Sequence, residues 1–343
     1  MSFTVGINLP WIDDQYDHDF GYNMTRKPDV PDESHIKPTF QKSKENFERY
    51  IEDISEIGVK VVRLWLFERF EGLTIVNGNV INPTTDMFTN LREACTIAKK
   101  YDVKFYFCLM DTWGTLADDL KDSPNGDPRE KYAGIINGLV TTKDKQDLFI
   151  RAAVDILSDD IIKESVWAVD VINEPDGIQR DHTMTDKARG KIDTRITFDQ
   201  LIEYINDACN TIRANTGHKV SCGIRKEVFD QFASRIKNSV DFFDIHHYDN
   251  DGNLPSYDSL NVSKPCIVGE CGQKTKEWND DLQTAVVKNF LENSKNLGYS
   301  GCFVWEYGYK GLDKANKEKS WCLINPDGSH RPAVDEIRNS FNH

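Results

Sequence analysis

Two short stretches of this chain set a carboxylate directly after an apolar run. The first is Val166-Trp167-Ala168-Val169-Asp170-Val171-Ile172-Asn173-Glu174-Pro175. Proline disfavours right-handed helix at the residue before it, so Glu174 is expected to stay extended and to end a strand. If Glu174 points inward, alternation turns Ile172, Asp170 and Ala168 the same way. An Asp170 inside the fold needs a cation, because an unpaired buried charge costs several kcal/mol. Arg63, in Val61-Val62-Arg63-Leu64-Trp65, is the candidate by type. The second stretch is Pro265-Cys266-Ile267-Val268-Gly269-Glu270-Cys271-Gly272, with glycines on both sides of the acid. Either glutamate alone is explained as well by solvation or an ion pair. Two carboxylates facing each other across one mouth suit glycoside hydrolysis. One then serves as acid/base and the other as nucleophile, about 5–5.5 Å apart when configuration is retained.

The elements that must hold these acids follow from the apolar pattern. Phe3–Leu9, Val59–Leu66, Val103–Leu109, Ser165–Ile172, Lys219–Gly223, Phe242–His246, Cys266–Gly269 and Gly301–Trp305 read as strands. They are near-continuously apolar, as strands covered on both faces of a parallel sheet must be. Between them lie amphipathic segments: Glu45–Ile57, Leu91–Tyr101, Gln146–Leu157, Phe198–Thr216 and Leu282–Lys295. In the first, Phe47, Tyr50, Ile51, Ile54 and Ile57 fall on one helical face, and Gly58 supplies a stop. Eight strands with intervening helices predict a (β/α)8 TIM barrel, with residues 1–343 forming one catalytic domain. The surplus length lies in Pro10–Lys42, Asp111–Thr142 and Asp176–Thr197, after strands 1, 3 and 4. These read as long loops walling a cleft at the face where barrels build their sites.

With that order in place, Asp170-x-x-Asn173-Glu174-Pro175 is similar to the strand-4 signature of the clan A glycoside hydrolases. These are (β/α)8 retaining enzymes that include the family 5 cellulases and mannanases. The resemblance covers most of the chain and implies that Glu174 is the acid/base and Glu270 the nucleophile. It implies that Asn173 bonds the sugar 2-hydroxyl and that Arg63 lies near the nucleophile. Asp244-Ile245-His246-His247-Tyr248 resembles the family's His-x-Tyr pair, which implies that His246 lies near Glu174 and that the Tyr248 hydroxyl donates to Glu270. Trp305 matches the strand-8 aromatic beneath the scissile sugar. The chain departs from the family at the end of strand 3, where a histidine is usual and Cys108-Leu109-Met110-Asp111 stands. Asp111 there reads equally as a sugar-hydroxyl acceptor and as a cap or loop residue.

The implied chemistry needs Glu174 protonated and Glu270 ionised, with Arg63 and Tyr248 expected to hold Glu270 in its charged form. Trp11, Trp65, Trp113 and Trp305 fall near the rim, where ring faces would stack on the apolar face of equatorial sugars. The expected substrates are therefore β-linked gluco- or manno-configured oligosaccharides. Taken singly, each of these tryptophans reads as core packing. Glu68, Glu71 and Glu306 read as exposed loop acids that could bind hydroxyls, and Tyr307 and Tyr309 as platform or packing.

Composition narrows the partners. A formal net charge of −14 and pI near 5.1 argue against a nucleic-acid phosphate tracker. Mean hydropathy is −0.56 and no apolar run approaches 18 residues, so no membrane helix is expected. The eight cysteines form no CxxC pair, and neither a metal nor a cofactor is expected. The start of the chain shows no signal-peptide pattern, which predicts a cytoplasmic protein. Oligomeric state is not written in the sequence. Three other readings stand beside hydrolysis. They are a carbohydrate-binding barrel without turnover, a transglycosylase using the same covalent intermediate, and a metal-dependent hydrolase built on His246, His247 and Asp111.

Overall fold

The computed structural model describes residues 3–12, 19–21, 40–111, 128–178, 196–275, 280–308, 321–325 and 327–341. In chain order the strands are β1 (Thr4–Asn8), β2 (Val61–Trp65), β3 (Leu73–Val76), β4 (Asn79–Pro83) and β5 (Lys104–Cys108). They continue with β6 (Val166–Asn173), β7 (Val220–Arg225), β8 (Phe243–His246), β9 (Cys266–Cys271) and β10 (Gly301–Val304). All but β3 and β4 pair in parallel and close into a ring in the order β1-β2-β5-β6-β7-β8-β9-β10. The expected (β/α)8 barrel is therefore present, and each of the eight apolar runs is one of its strands.

The helices are α1 (Phe40–Ile57), α2 (Thr85–Lys100), α3 (Pro128–Thr141), α4 (Lys143–Leu157) and α5 (Ile162–Ser165). After these come α6 (Phe198–Thr216), α7 (Phe229–Ile236), α8 (Asp280–Asn296) and α9 (Ala333–Asn339). The predicted face of α1 (Phe47, Tyr50, Ile51, Ile54 and Ile57) is buried, and Gly58 takes φ +107° directly after the helix. Helix α6 starts at a Thr197/Gln200 capping box and stops at Gly217 in the left-handed region. No described helix is long and apolar enough to cross a membrane.

Inside the ring the side chains form layers. Val61, Tyr106, Ala168, Phe242, Ile267 and Phe303 pack into one apolar layer. One step nearer the strands' C-terminal ends, the layer turns polar. Asn8, Arg63, Asp170 and Asp244 are all fully buried there. The backbone makes room for it, since a Cβ on Gly269 would sit 1.8 Å from Asp244 Oδ1.

Four sequence expectations need correction. Glu174 is not extended but has φ +43°. Proline at the next position bars right-handed helix yet leaves the left-handed region open, and the Gly177 N–H closes a turn on the Glu174 carbonyl at 3.1 Å. Ile172 does not share a face with Asp170. The β6–β7 register shifts between Asp170 and Asn173, so Ile172 joins the outer core while Asn173 turns inward. The segment Asp111–Thr142 is not all loop, since it ends in α3. A hairpin, β3–β4, was not anticipated after β2. Its turn residues Asn77 and Gly78 both have positive φ, the geometry that favours an Asn-Gly pair.

Candidate active site

Arg63, on β2, is the hub of the barrel mouth. Its NH1 donates to Asn8 Oδ1 at 3.1 Å and to Glu270 Oε1 at 2.7 Å. Its NH2 donates to Asp170 Oδ2 at 2.7 Å and to Asn173 Oδ1 at 2.8 Å. The Arg63–Asp170 pair expected from burial is thus in place, and the same guanidinium also holds one of the two candidate catalytic acids. Asp170 Oδ1 accepts from the Gly223 and Ile172 backbone N–H groups, which completes its shell.

Glu174 and Glu270 converge. The His246 imidazole stands between them, Nδ1 lying 3.0 Å from Glu174 Oε1 and 3.5 Å from Glu270 Oε1. One oxygen of each glutamate and a ring nitrogen of His246 all lie within 4.8 Å of one another. The Tyr248 hydroxyl donates to Glu270 Oε2 at 2.9 Å, while the residue as a whole is 40% exposed. Glu174 owes its position to its left-handed backbone and to its own N–H, which donates to the Gly223 carbonyl on β7. A non-glycine residue held there costs on the order of 1–3 kcal/mol, a form of strain that gathers at functional sites.

The protonation states follow from burial against charge. Burial pulls the His246 imidazole down, but Glu270, Glu174 and Asp244 outweigh it and raise the group to about 9. His246 is therefore a cation at neutral pH. Burial pushes Glu270 above the ordinary carboxylate range, while His246, Arg63 and the Tyr248 hydrogen bond pull it back. Arg63 and Tyr248 thus act in the expected direction, but the net displacement is upward. Burial and the neighbouring Glu270 and Glu174 push the Tyr248 phenol well up, which keeps it a donor. Asp111 is also pushed well up, by burial and then by Glu68.

Asp111, just past β5, accepts from Asn173 Nδ2 at 2.9 Å, and its Oδ2 has no hydrogen-bond partner among the described residues. Since Arg63 occupies the Asn173 oxygen, the amide can face Asp111 only with its nitrogen. Asp111 thus orients Asn173. Trp11, Trp65 and Trp305 form one cluster, with ring centroids 5.1 to 6.0 Å apart. Trp11 Nε1 donates to Glu68 Oε2 at 2.5 Å. Trp113 lies outside the described residues, as does Tyr309. The loop acids differ from expectation: Glu68, Glu71 and Glu306 are all buried. Glu71 accepts from the Phe20 and Gly21 backbone N–H groups, a structural use. Tyr307 packs on Tyr50 and donates to Asp53.

Glu174, His246 and Glu270 are also the described residues whose donor atoms are close enough to hold a metal ion. The cationic His246 and the Arg63 guanidinium already bring positive charge to both acids. The trio His246, His247 and Asp111 does not assemble in this way, since the His247 ring packs edge-on against Phe290.

Sequence reasoning passed over three groups. Asp244, two residues before His246, is buried beside it, with Oδ1 3.7 Å from His246 Nε2 and Oδ2 accepting from the Tyr106 hydroxyl at 2.7 Å. Alternation back from His246 was the available signal. Arg225 and Asp176 form the other pair. Strand β7 runs two residues past the expected stop at Gly223, and this extension carries Arg225 to the rim.

No family model matches this chain. Among curated sequences, the mannan endo-1,4-β-mannosidase of Mytilus edulis is 22% identical over 88% of this chain and 83% of its own length. The chain is similar to the β-mannanases. The β-1,4-mannanase from the sea hare Aplysia kurodai superposes with a TM-score of 0.64 at 18% identity, covering 98% of this chain and 92% of that one. An exo-β-1,4-mannosidase from Opitutaceae bacterium strain TAV5 gives 0.66 at 12% identity, over 99% of this chain and 59% of that one. These mannanase-like relatives bear out the resemblance to the clan A, family 5-like glycoside hydrolases.

Proposed function

We propose that the protein hydrolyses β-mannosidic bonds with retention of configuration, Glu174 serving as acid/base and Glu270 as nucleophile. The observation that carries the reading is the approach of one oxygen of each carboxylate to within 4.8 Å of the other around His246. Inverting enzymes keep their acids about 6.5–9.5 Å apart to admit a water between them, so the narrower spacing favours direct attack by one of them. The mannoside preference rests on what the relatives are named for.

In the first step Glu174 gives its proton to the leaving oxygen while Glu270 attacks the anomeric carbon and becomes an ester. Arg63 and Tyr248 each donate to one oxygen of Glu270, which fixes its plane and steadies its charge before attack. Esterification removes that charge. Glu174, now a carboxylate, takes a proton from water, and the water cleaves the ester. The His246 cation beside both acids compensates whichever one is ionised.

The test is turnover of an activated aryl β-mannoside, with NMR of the first-formed anomer. Wild type should release the β-anomer. Glu270→Ala should lose turnover and regain part of it with azide, which attacks the vacant face to give the α-glycosyl azide. An α-anomer from the wild type, or normal turnover by Glu270→Ala, would overturn the reading.

A further inference from the structure

Asp176 and Arg225 make a second ion pair at the mouth, outside the Arg63 network. Asp176 is fully buried two residues beyond Glu174, and its Oδ2 accepts from both Nε and NH2 of Arg225. Arg225 ends β7, opposite His246 in the β7–β8 register, and two residues beyond Gly223, whose carbonyl holds the Glu174 N–H. A third of the Arg225 side chain is exposed, and its NH1 makes no hydrogen bond among the described residues. One edge of the guanidinium is therefore pinned to the Glu174 turn, and the NH1 edge keeps its donors unused among the described residues.

The barrel order says which part of a substrate meets that edge. Trp11, Trp65 and Trp305 follow or end β1, β2 and β10, so the aromatic surface occupies one half of the mouth. Asp176 follows β6 and Arg225 ends β7, in the opposite half. Glu174 must reach the oxygen that departs, so the leaving group lies on its side, away from the tryptophans. We infer that Arg225 reads the leaving-group sugar, donating through NH1 to a hydroxyl oxygen of a neutral pyranose. This rests on the assignment of Glu174 as the acid. The charges around it set the ligand class: Asp176, Glu174 and Glu227 all act on the guanidinium, so the site offers directed donors rather than net attraction for an anion. The buried carboxylate also holds the fork rigid, so little side-chain entropy is lost on binding.

Two substrates with unactivated alcohol leaving groups, both dependent on acid catalysis but differing in aglycone hydroxyls, separate this role from simple support of the Glu174 turn. One is a β-1,4-linked mannobiose and the other is cyclohexyl β-mannoside. Arg225→Met should lower kcat/KM on the disaccharide by about 10–100-fold, the usual value of a charge-assisted bond, and change the cyclohexyl glycoside by less than about threefold. Its pH profile on the cyclohexyl glycoside should match wild type. Equal losses on both substrates would make Arg225 a support for Glu174 alone and overturn the inference. Wild type alone gives a second test, using mannobioses lacking one aglycone hydroxyl each. At least one deletion should cost about tenfold, and no cost at any position would equally overturn it. If wild type cleaves neither of these nor the activated aryl β-mannoside, the hydrolase reading itself has failed, which is a different result.

Discussion

Replacing His246 with glutamine removes the cation from between two acids, and the structure sets the size of the effect. The folded imidazole titrates at about 9, against 6.5 for the free group. At 1.36 kcal/mol for each pH unit, that difference is worth roughly 3 kcal/mol of stability. Because the folded value is the higher one, this stabilisation is complete below pH 6.5, where folded and unfolded imidazoles are both protonated. It is lost as pH climbs from 6.5 to about 9. Urea unfolding of wild type and His246→Gln, from about pH 6 to about pH 10, measures it directly. The difference between the two curves cancels groups that titrate alike in both proteins, and it should shrink by roughly 3 kcal/mol across that window. A difference that is flat, or that widens with pH, would refute the claim that Glu174, Glu270 and Asp244 keep this imidazole charged.

Arg63→Met leaves Asp170 and Glu270 without their shared cation and should destabilise the fold by about 3–5 kcal/mol, read as a shift in urea midpoint. A loss under 1 kcal/mol would mean the network is not stabilised as drawn. Gly269→Ala, whose Cβ would lie 1.8 Å from Asp244 Oδ1, should express as misfolded or strongly destabilised protein. A wild-type melting curve from that variant would contradict the packing of the polar layer. Asp111→Asn should gain stability over wild type as pH rises, because a buried carboxyl with a raised pKa loses stability as it ionises. Asp111→Ala should lower kcat by about 10–100-fold by freeing the Asn173 amide, with a smaller change in Tm. An unchanged kcat would release Asp111 from its orienting role.

The barrel was legible because strands buried on both faces must be apolar throughout, and such runs stand out against amphipathic helices. The two glutamates were legible for a related reason: an acid ending an apolar run has few bland explanations once a second one does the same. Local backbone choices were less visible. Pro175 excludes one conformation for Glu174, but the selection of positive φ comes from the turn that Gly177 closes. The bulge that turns Ile172 outward depends on pairing with β7, a neighbour far away in the chain. Asn77-Gly78 is a turn signal of the kind that favours a hairpin, but the strands it joins are short and carry no long apolar run. Glu68, Glu71 and Glu306 read as solvent-facing because their type is usually exposed, and their burial follows from partners on remote segments.

Arg63 touches side chains contributed by β1, β6 and β9, three staves that meet only when the cask is complete. A half-assembled chain, with the last strands still undocked, therefore has no gripped nucleophile and no aligned amide. Competence for chemistry and closure of the ring arrive together. An inhibitor that needs both acids gripped in place would thus bind only once β9 has docked, and its capture during refolding would time that moment.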